Sequence, residues 1–135
     1  MPMIDFNEED LARGRVVKPS WYRVRIGQIG EKPSKDKQST NYPTEGTILF
    51  DADNGDIEFA NTPILWYFNS KGKGFIAAFL NALGEEVVPG RVNLEAATGM
   101  ELDMYIGNKL YEGRTVNDYT GKYRRINPDV KAKTA

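Results

Sequence analysis

The apolar positions of this chain change period twice. From Trp21 they alternate, with Tyr22, Val24 and Ile26 on one side and Arg23 and Arg25 on the other, which predicts a strand. EKPSKDKQS at 31–39 is polar and contains proline, so it predicts a loop. NYPTEGTILF at 41–50 predicts a second strand with Gly46 as a bend or bulge. Asn54-Gly55 is a hairpin-turn signal, and the near-continuous apolar run TPILWYFN at 62–69 predicts a third strand. Between Lys73 and Gly84 the period becomes helical, because Phe75, Ile76, Phe79, Leu80 and Leu83 form one stripe. Asn69 or Ser70 is the candidate cap of that helix and Gly84 its stop. Alternation returns in ELDMYIG at 101–107, with Leu102, Met104 and Ile106 inward. Gly107-Asn108 then predicts a turn, and KLYEGRTVNDY at 109–119 a fifth strand bent at Gly113.

Three strands, one helix and two strands is the order of the OB-fold. The expected fold class is therefore mainly β, a five-stranded, OB-fold-like Greek-key barrel with one helix between strands 3 and 4. A generic α+β sheet with the helix across one face fits the same order. With 135 residues there is material for one core. Residues 1–125 are expected to form a single domain, in which 1–19 supply an acidic turn (Asp5 through Ala12) and a lead-in. Residues 126–135 are expected to be a flexible tail.

Composition narrows the chemistry. A hydrophobic content of 40% with 27% charged residues predicts a folded chain. No stretch reaches the roughly 18 uncharged apolar residues that span a bilayer, and the acidic start MPMIDFNEED does not read as a secretory signal. The expected setting is the cytoplasm, with no membrane partner; the absence of Cys agrees and removes disulfides and thiolate chemistry. The absence of His removes the commonest general base and zinc ligand. DADNGD at 51–56 is not a calcium loop, because Gly55 comes one place early and Thr62 stands at the twelfth position. GKG at 72–74 lacks the first glycine and the hydroxyl of a phosphate-binding loop. With no carboxylate pair suited to acid–base work, neither a catalytic, a metal nor a cofactor site is expected.

A formal net charge of −1 conceals segregation. Residues 11–37 carry eight Lys and Arg against Glu31 and Asp36, whereas 5–10 carry Asp5, Glu8, Glu9 and Asp10. A barrel could gather the basic blocks on one side, although uneven charge along a solvated surface needs no function. In an OB-fold, oligonucleotides cross strands 2 and 3 between the loops joining strands 1–2 and 4–5. The first loop carries Lys32, Lys35 and Lys37, the second is followed by Lys109, and TVNDYTGKYRRI at 115–126 interleaves rings with cations. Unpaired strands require cations for phosphates and rings for bases. The phosphate-contact candidates are thus Lys32, Lys35, Lys37, Lys109, Arg114, Lys122, Arg124 and Arg125, with Arg23 and Arg25 in second rank. The stacking candidates are Tyr42, Trp66, Tyr119 and Tyr123. Of Trp66, Tyr67 and Phe68, alternation must bury at least one, and Phe50 and Phe59 fit the core better.

DFNEEDLARGRVV, WYRVRI and LYEGRTVNDYTGKYR also carry a resemblance. The chain resembles, over residues 4–125, short proteins encoded in the replication and recombination clusters of tailed bacteriophages. The most specific residues are Tyr111, Gly113, Arg114, Val116, Asn117 and Tyr123-Arg124. That resemblance implies an OB-fold protein that binds single-stranded DNA independently of sequence and protects it during phage replication or recombination, without enzymatic activity. It also implies phage replication or recombination proteins as further candidate partners in the host cytoplasm, and a second copy of the chain is a separate candidate partner. Many single-strand binders recruit partners through an acidic tail, whereas DVKAKTA here is mildly basic. The competing class is a phage virion or assembly protein that uses a small β-barrel as a structural interaction module.

Overall fold

Alternation becomes pleat along β1 (Ser20–Ile29), which turns Tyr22, Val24 and Ile26 into the core and Arg25 outward. The computed structural model describes Met3 and residues 15–84 and 93–134. The acidic turn expected at Asp5 through Ala12 lies outside the described residues, as does 85–92 of the connector before the fourth expected strand. After β1 come β2 (Lys32–Pro33), β3 (Thr40–Asp51), β4 (Pro63–Asn69), helix α1 (Lys73–Ala82), a 3-10 turn (Leu94–Ala97), β5 (Glu101–Tyr111) and β6 (Arg114–Arg124).

These strands form one antiparallel, six-stranded sheet. The long strands run in the order β4-β3-β1-β5-β6, and β2 adds two residues to β3 beside β1. Among the described residues no ladder joins β4 to β6, so the sheet is open rather than a hydrogen-bonded closed barrel. Five strands were expected; the sixth is β2, where Lys32 pairs with Asn41 and Pro33 with Thr40 inside the expected loop.

The inward faces of β1, β3, β4 and β5 meet Phe79, Leu80 and Ala82 of α1 in a single core. Phe79 is fully buried and lies 4.9 Å from Phe68 between ring centres. Losing a buried aromatic side chain of this kind costs about 3–5 kcal/mol. Gly46 leaves room for these rings, since a Cβ there would stand 2.8 Å from Val24 and 3.1 Å from Trp66. The β1–β3 register shifts twice, between the pairs Arg23–Phe50 and Val24–Ile48 and again between Ile26–Gly46 and Ile29–Thr44, so one of the irregularities adjoins Gly46 as expected.

Two local expectations shift. The turn expected at Gly107-Asn108 is absent, because β5 runs straight through it to Tyr111. The chain reverses at Glu112-Gly113, both with positive φ (51° and 78°), the backbone of a tight two-residue hairpin. Helix α1 begins after Gly72 without a side-chain cap. Asn69 Oδ1 instead accepts from the Lys71 amide at 2.9 Å, and Ser70 Oγ accepts from the Thr40 amide at 3.0 Å. Asn54-Gly55 does turn the chain, with Gly55 at φ 79°, but within a longer connection between β3 and β4.

Past β6 the described residues form no helix or strand, yet their backbone has partners in the fold. Arg23 donates to the Asn127 and Val130 carbonyls at 3.0 and 3.4 Å, and the Lys133 amide donates to Gly55 O at 2.9 Å. A Cβ on Gly55 would stand 2.2 Å from the Lys131 carbonyl oxygen, so only glycine admits this strap. Among the described residues no helix is long and apolar enough to cross a membrane.

Candidate nucleic-acid interface

The pleat decides which rings can meet a ligand. On β4 it turns Ile64, Trp66 and Phe68 inward and Leu65 and Tyr67 outward. Trp66 is only 5% exposed, and its ring packs edge-on against Phe68 and Phe79. On β6, Tyr119 lies 6.2 Å from Trp66, while Tyr123 lies 5.6 Å from Phe79 and 6.2 Å from Phe68. Tyr42 packs against the same core. Burial pushes the Tyr119 hydroxyl pKa up and that of Tyr123 to about 12, so both stay neutral.

Of the stacking candidates, Trp66 is buried in the core, whereas Tyr42, Tyr119 and Tyr123 are half-buried against it, and Tyr119 and Tyr123 also line an open groove. The physical reason is the strand period. Lys122 is exposed on the outward half of the strand, and the Tyr119 and Tyr123 rings turn the other way, against the core. Exposed rings occur elsewhere. Tyr67 is 55% exposed, Phe75 59% and Tyr111 57%. Strict alternation through ILWYFN would have selected Tyr67 in place of Trp66.

The cations divide into two groups. Lys32, Lys35 and Lys37 lie exposed on and after β2. The Lys32 ammonium sits 5.2 Å from the centre of the Tyr67 ring, close enough for a cation–π contact. The turn carrying these lysines is fixed by Asp36, whose carboxylate accepts from Ser34 Oγ at 2.6 Å and the Gln38 amide at 3.0 Å. Those two hydrogen bonds, Ser34 first, lower the Asp36 pKa and keep it charged. Lys109 and Arg114 are exposed on the β5–β6 hairpin, and Lys109 reaches Asp118 only at 3.8 Å.

The second group faces inward chemistry. Arg23 is buried and donates to Asp103 Oδ1 at 2.8 Å. Arg124 lies over Trp21 at 4.3 Å, pairs with Asp53 at 2.6 Å and faces Asp103 Oδ2 at 3.6 Å. Arg25 lies 3.6 Å from Glu101, and Arg125 donates to the Asn81 carbonyl at 3.1 Å. Lys122 stands 5.7 Å over Tyr105. Of the expected phosphate contacts, Arg124 and Arg125 therefore have partners within the fold, as do the second-rank Arg23 and Arg25. Their carboxylate and carbonyl partners leave little positive field for a phosphate.

Where β4 and β6 fail to pair, a groove of about 510 Å³ opens. Tyr67, Phe75, Lys109 and Thr120 line it, with Trp66, Tyr119 and Tyr123 also on its walls. Among the described residues no carboxylate lines it. A second cleft, of about 600 Å³, is lined by Glu45 and Glu95 and is electrostatically unsuited to phosphate. Lys32, Tyr67 and Lys109 are thus brought to one region by three different strands. Among the described residues no group of His, Cys, Asp and Glu could hold a metal ion.

No protein-family model matches the chain, and no curated protein matches it.

Proposed function

We propose that this protein is a non-enzymatic, sequence-tolerant binder of single-stranded DNA. The observation that carries the reading is the Lys32 ammonium held over the exposed Tyr67 ring at 5.2 Å. It joins in one spot the two groups that an unpaired strand requires, a cation for phosphate and a ring for a base. Lys35 and Lys37 extend the cationic side through an ordered turn, and Lys109 and Arg114 flank it from the hairpin.

The fold favours the same reading. The strand order β4-β3-β1-β5-β6 with a helix between β4 and β5 supports reading the sheet as an opened OB-fold, with β4 and β6 as its unpaired third and fifth strands. Tyr67 stands on the outer surface of β4, beside the lysine of β2. The resemblance to phage single-strand binders gives this activity its setting, protection of DNA during phage replication or recombination in the host cytoplasm.

Anisotropy of a labelled poly-dT oligonucleotide, titrated at several salt concentrations, tests the proposal. Each phosphate contact contributes about −0.7 to the slope of log affinity against log salt, so three to five contacts give a slope of about −2 to −3.5. Affinity that does not change with salt overturns it.

A structural interaction module is favoured by one feature, the exposed Leu110 (78%) and Tyr111 on the hairpin arm. Gel filtration separates the two readings. A module self-associates without DNA, whereas a strand binder shifts only when the oligonucleotide is added.

A further inference from the structure

The groove between β4 and β6 lies beside the Lys32–Tyr67 contact and is not needed for it. Its floor is made of rings, because the inward side chains of the two unpaired edges meet there: Trp66 with Tyr119, and Phe68 with Tyr123. At one side stands Phe75, from the first turn of α1. Its ring lies against Gly121, where a Cβ would come within 2.9 Å of two ring atoms. One face of Phe75 is therefore supported by the β6 backbone, and 59% of the residue is open to solvent. An apolar residue this exposed at the end of an otherwise buried helix stripe adds little to the core.

We propose that this groove is a base slot: one nucleobase of the bound strand leaves the outer face and stacks on Phe75, with its phosphate beside Lys109. The proposal rests on the single-strand-binding reading above. Charge selects the occupant. Among the described residues, the only ionisable groups lining the groove besides tyrosines belong to Lys109, which lies 3.8 Å from Asp118, and Tyr67 on its wall carries Lys32 on its ring. A planar, uncharged ring attached to an anionic backbone matches this lining, whereas a basic peptide would meet like charge. The slot makes binding depend on the presence of bases, over and above the backbone attraction supplied by the lysine turn.

The test compares a poly-dT oligonucleotide with an abasic oligonucleotide of the same length, against the wild-type chain, Phe75→Ala and Phe75→Leu. Phe75 is exposed, so both variants should fold, and their thermal midpoints check this. The expected result is that wild type prefers poly-dT, and that Phe75→Ala lowers poly-dT affinity by roughly 5- to 100-fold. Abasic binding should be unchanged. Phe75→Leu should behave like Phe75→Ala, because leucine keeps apolar contact but offers no face for stacking. Poly-dT affinity left intact by Phe75→Ala overturns the slot while leaving strand binding in place. Affinity retained by Phe75→Leu but lost in Phe75→Ala overturns it in favour of an apolar contact. Failure of wild type to bind either oligonucleotide overturns the strand-binding reading itself.

Discussion

Trp66 on β4 and Tyr119 on β6 hold their ring centres 6.2 Å apart across two strand edges that no backbone ladder connects. Phe68 and Tyr123 repeat the relationship at the same distance two residues further along β4. The sheet's two ends are thus joined by side chains. Ring contact is less directional than a hydrogen-bonded ladder, and it leaves room above for a groove. The same tyrosines that hold the fold together are half-buried by these contacts and form part of the groove's lining.

Tyr123→Ala should accordingly damage stability. A fully buried aromatic costs about 3–5 kcal/mol to truncate, and this partly buried one should cost about 2–3 kcal/mol. Chemical denaturation measures it. A variant as stable as wild type would mean that the β6 rings do not close the molecule.

Asp103 governs the opposite face. It is fully buried, receives Arg23 at 2.8 Å and faces Arg124 at 3.6 Å. Removing one partner of a buried ion pair leaves an uncompensated charge, at a cost of about 3–5 kcal/mol. Asp103→Ala should therefore destabilise the fold. It should also loosen the strap, because Arg23 holds the Asn127 and Val130 carbonyls. Limited proteolysis reads the second effect: cleavage at 126–134 should speed up well below the unfolding midpoint. A strap that stays as resistant as in wild type would uncouple it from the ion pair.

Much of this was legible in the sequence. Period-two and helical patterns located the long strands and α1, because burial on one face imposes those periods. What escaped were features set by tertiary context. Glu112-Gly113 adopts positive φ only because Tyr111 and Arg114 pair, and Gly107 looked as good a turn residue. The tail's polar composition gave no sign that Arg23 and Gly55 would hold its backbone. For the candidate site, the lysine turn was visible as a charge run. The half-burial of Tyr119 and Tyr123 was not, because polar neighbours were read as exposure, when in a strand they mark the opposite face from the ring.

Tyr67→Ala should separate binding from folding. Its ring is outward and 55% exposed, so the thermal midpoint should move little. Poly-dT affinity should fall by about 1–3 kcal/mol, the stacking of one base. Lys32→Gln should act differently, flattening the salt slope by about 0.7. Equal affinity of Tyr67→Ala and wild type would remove this face from the interface.

Alkaline titration addresses the buried hydroxyls. Tyr22, Tyr119 and Tyr123 all have raised pKa values, with burial the leading cause in each case. For Tyr123 the value moves from 10.0 to about 12. The unfolded chain therefore loses these protons at lower pH than the folded one. Tyr123's contribution to stability is complete below pH 10 and is lost as pH rises from there through about 12, by up to about 1.4 kcal/mol per pH unit. Denaturant midpoints measured across that window should fall steeply. Tyr123→Phe removes one ionising group from the interior while keeping its ring, so its curve should fall less steeply. If the two curves superimpose, the Tyr123 hydroxyl is in contact with solvent and the ring closure between β4 and β6 is looser than the ring distances imply.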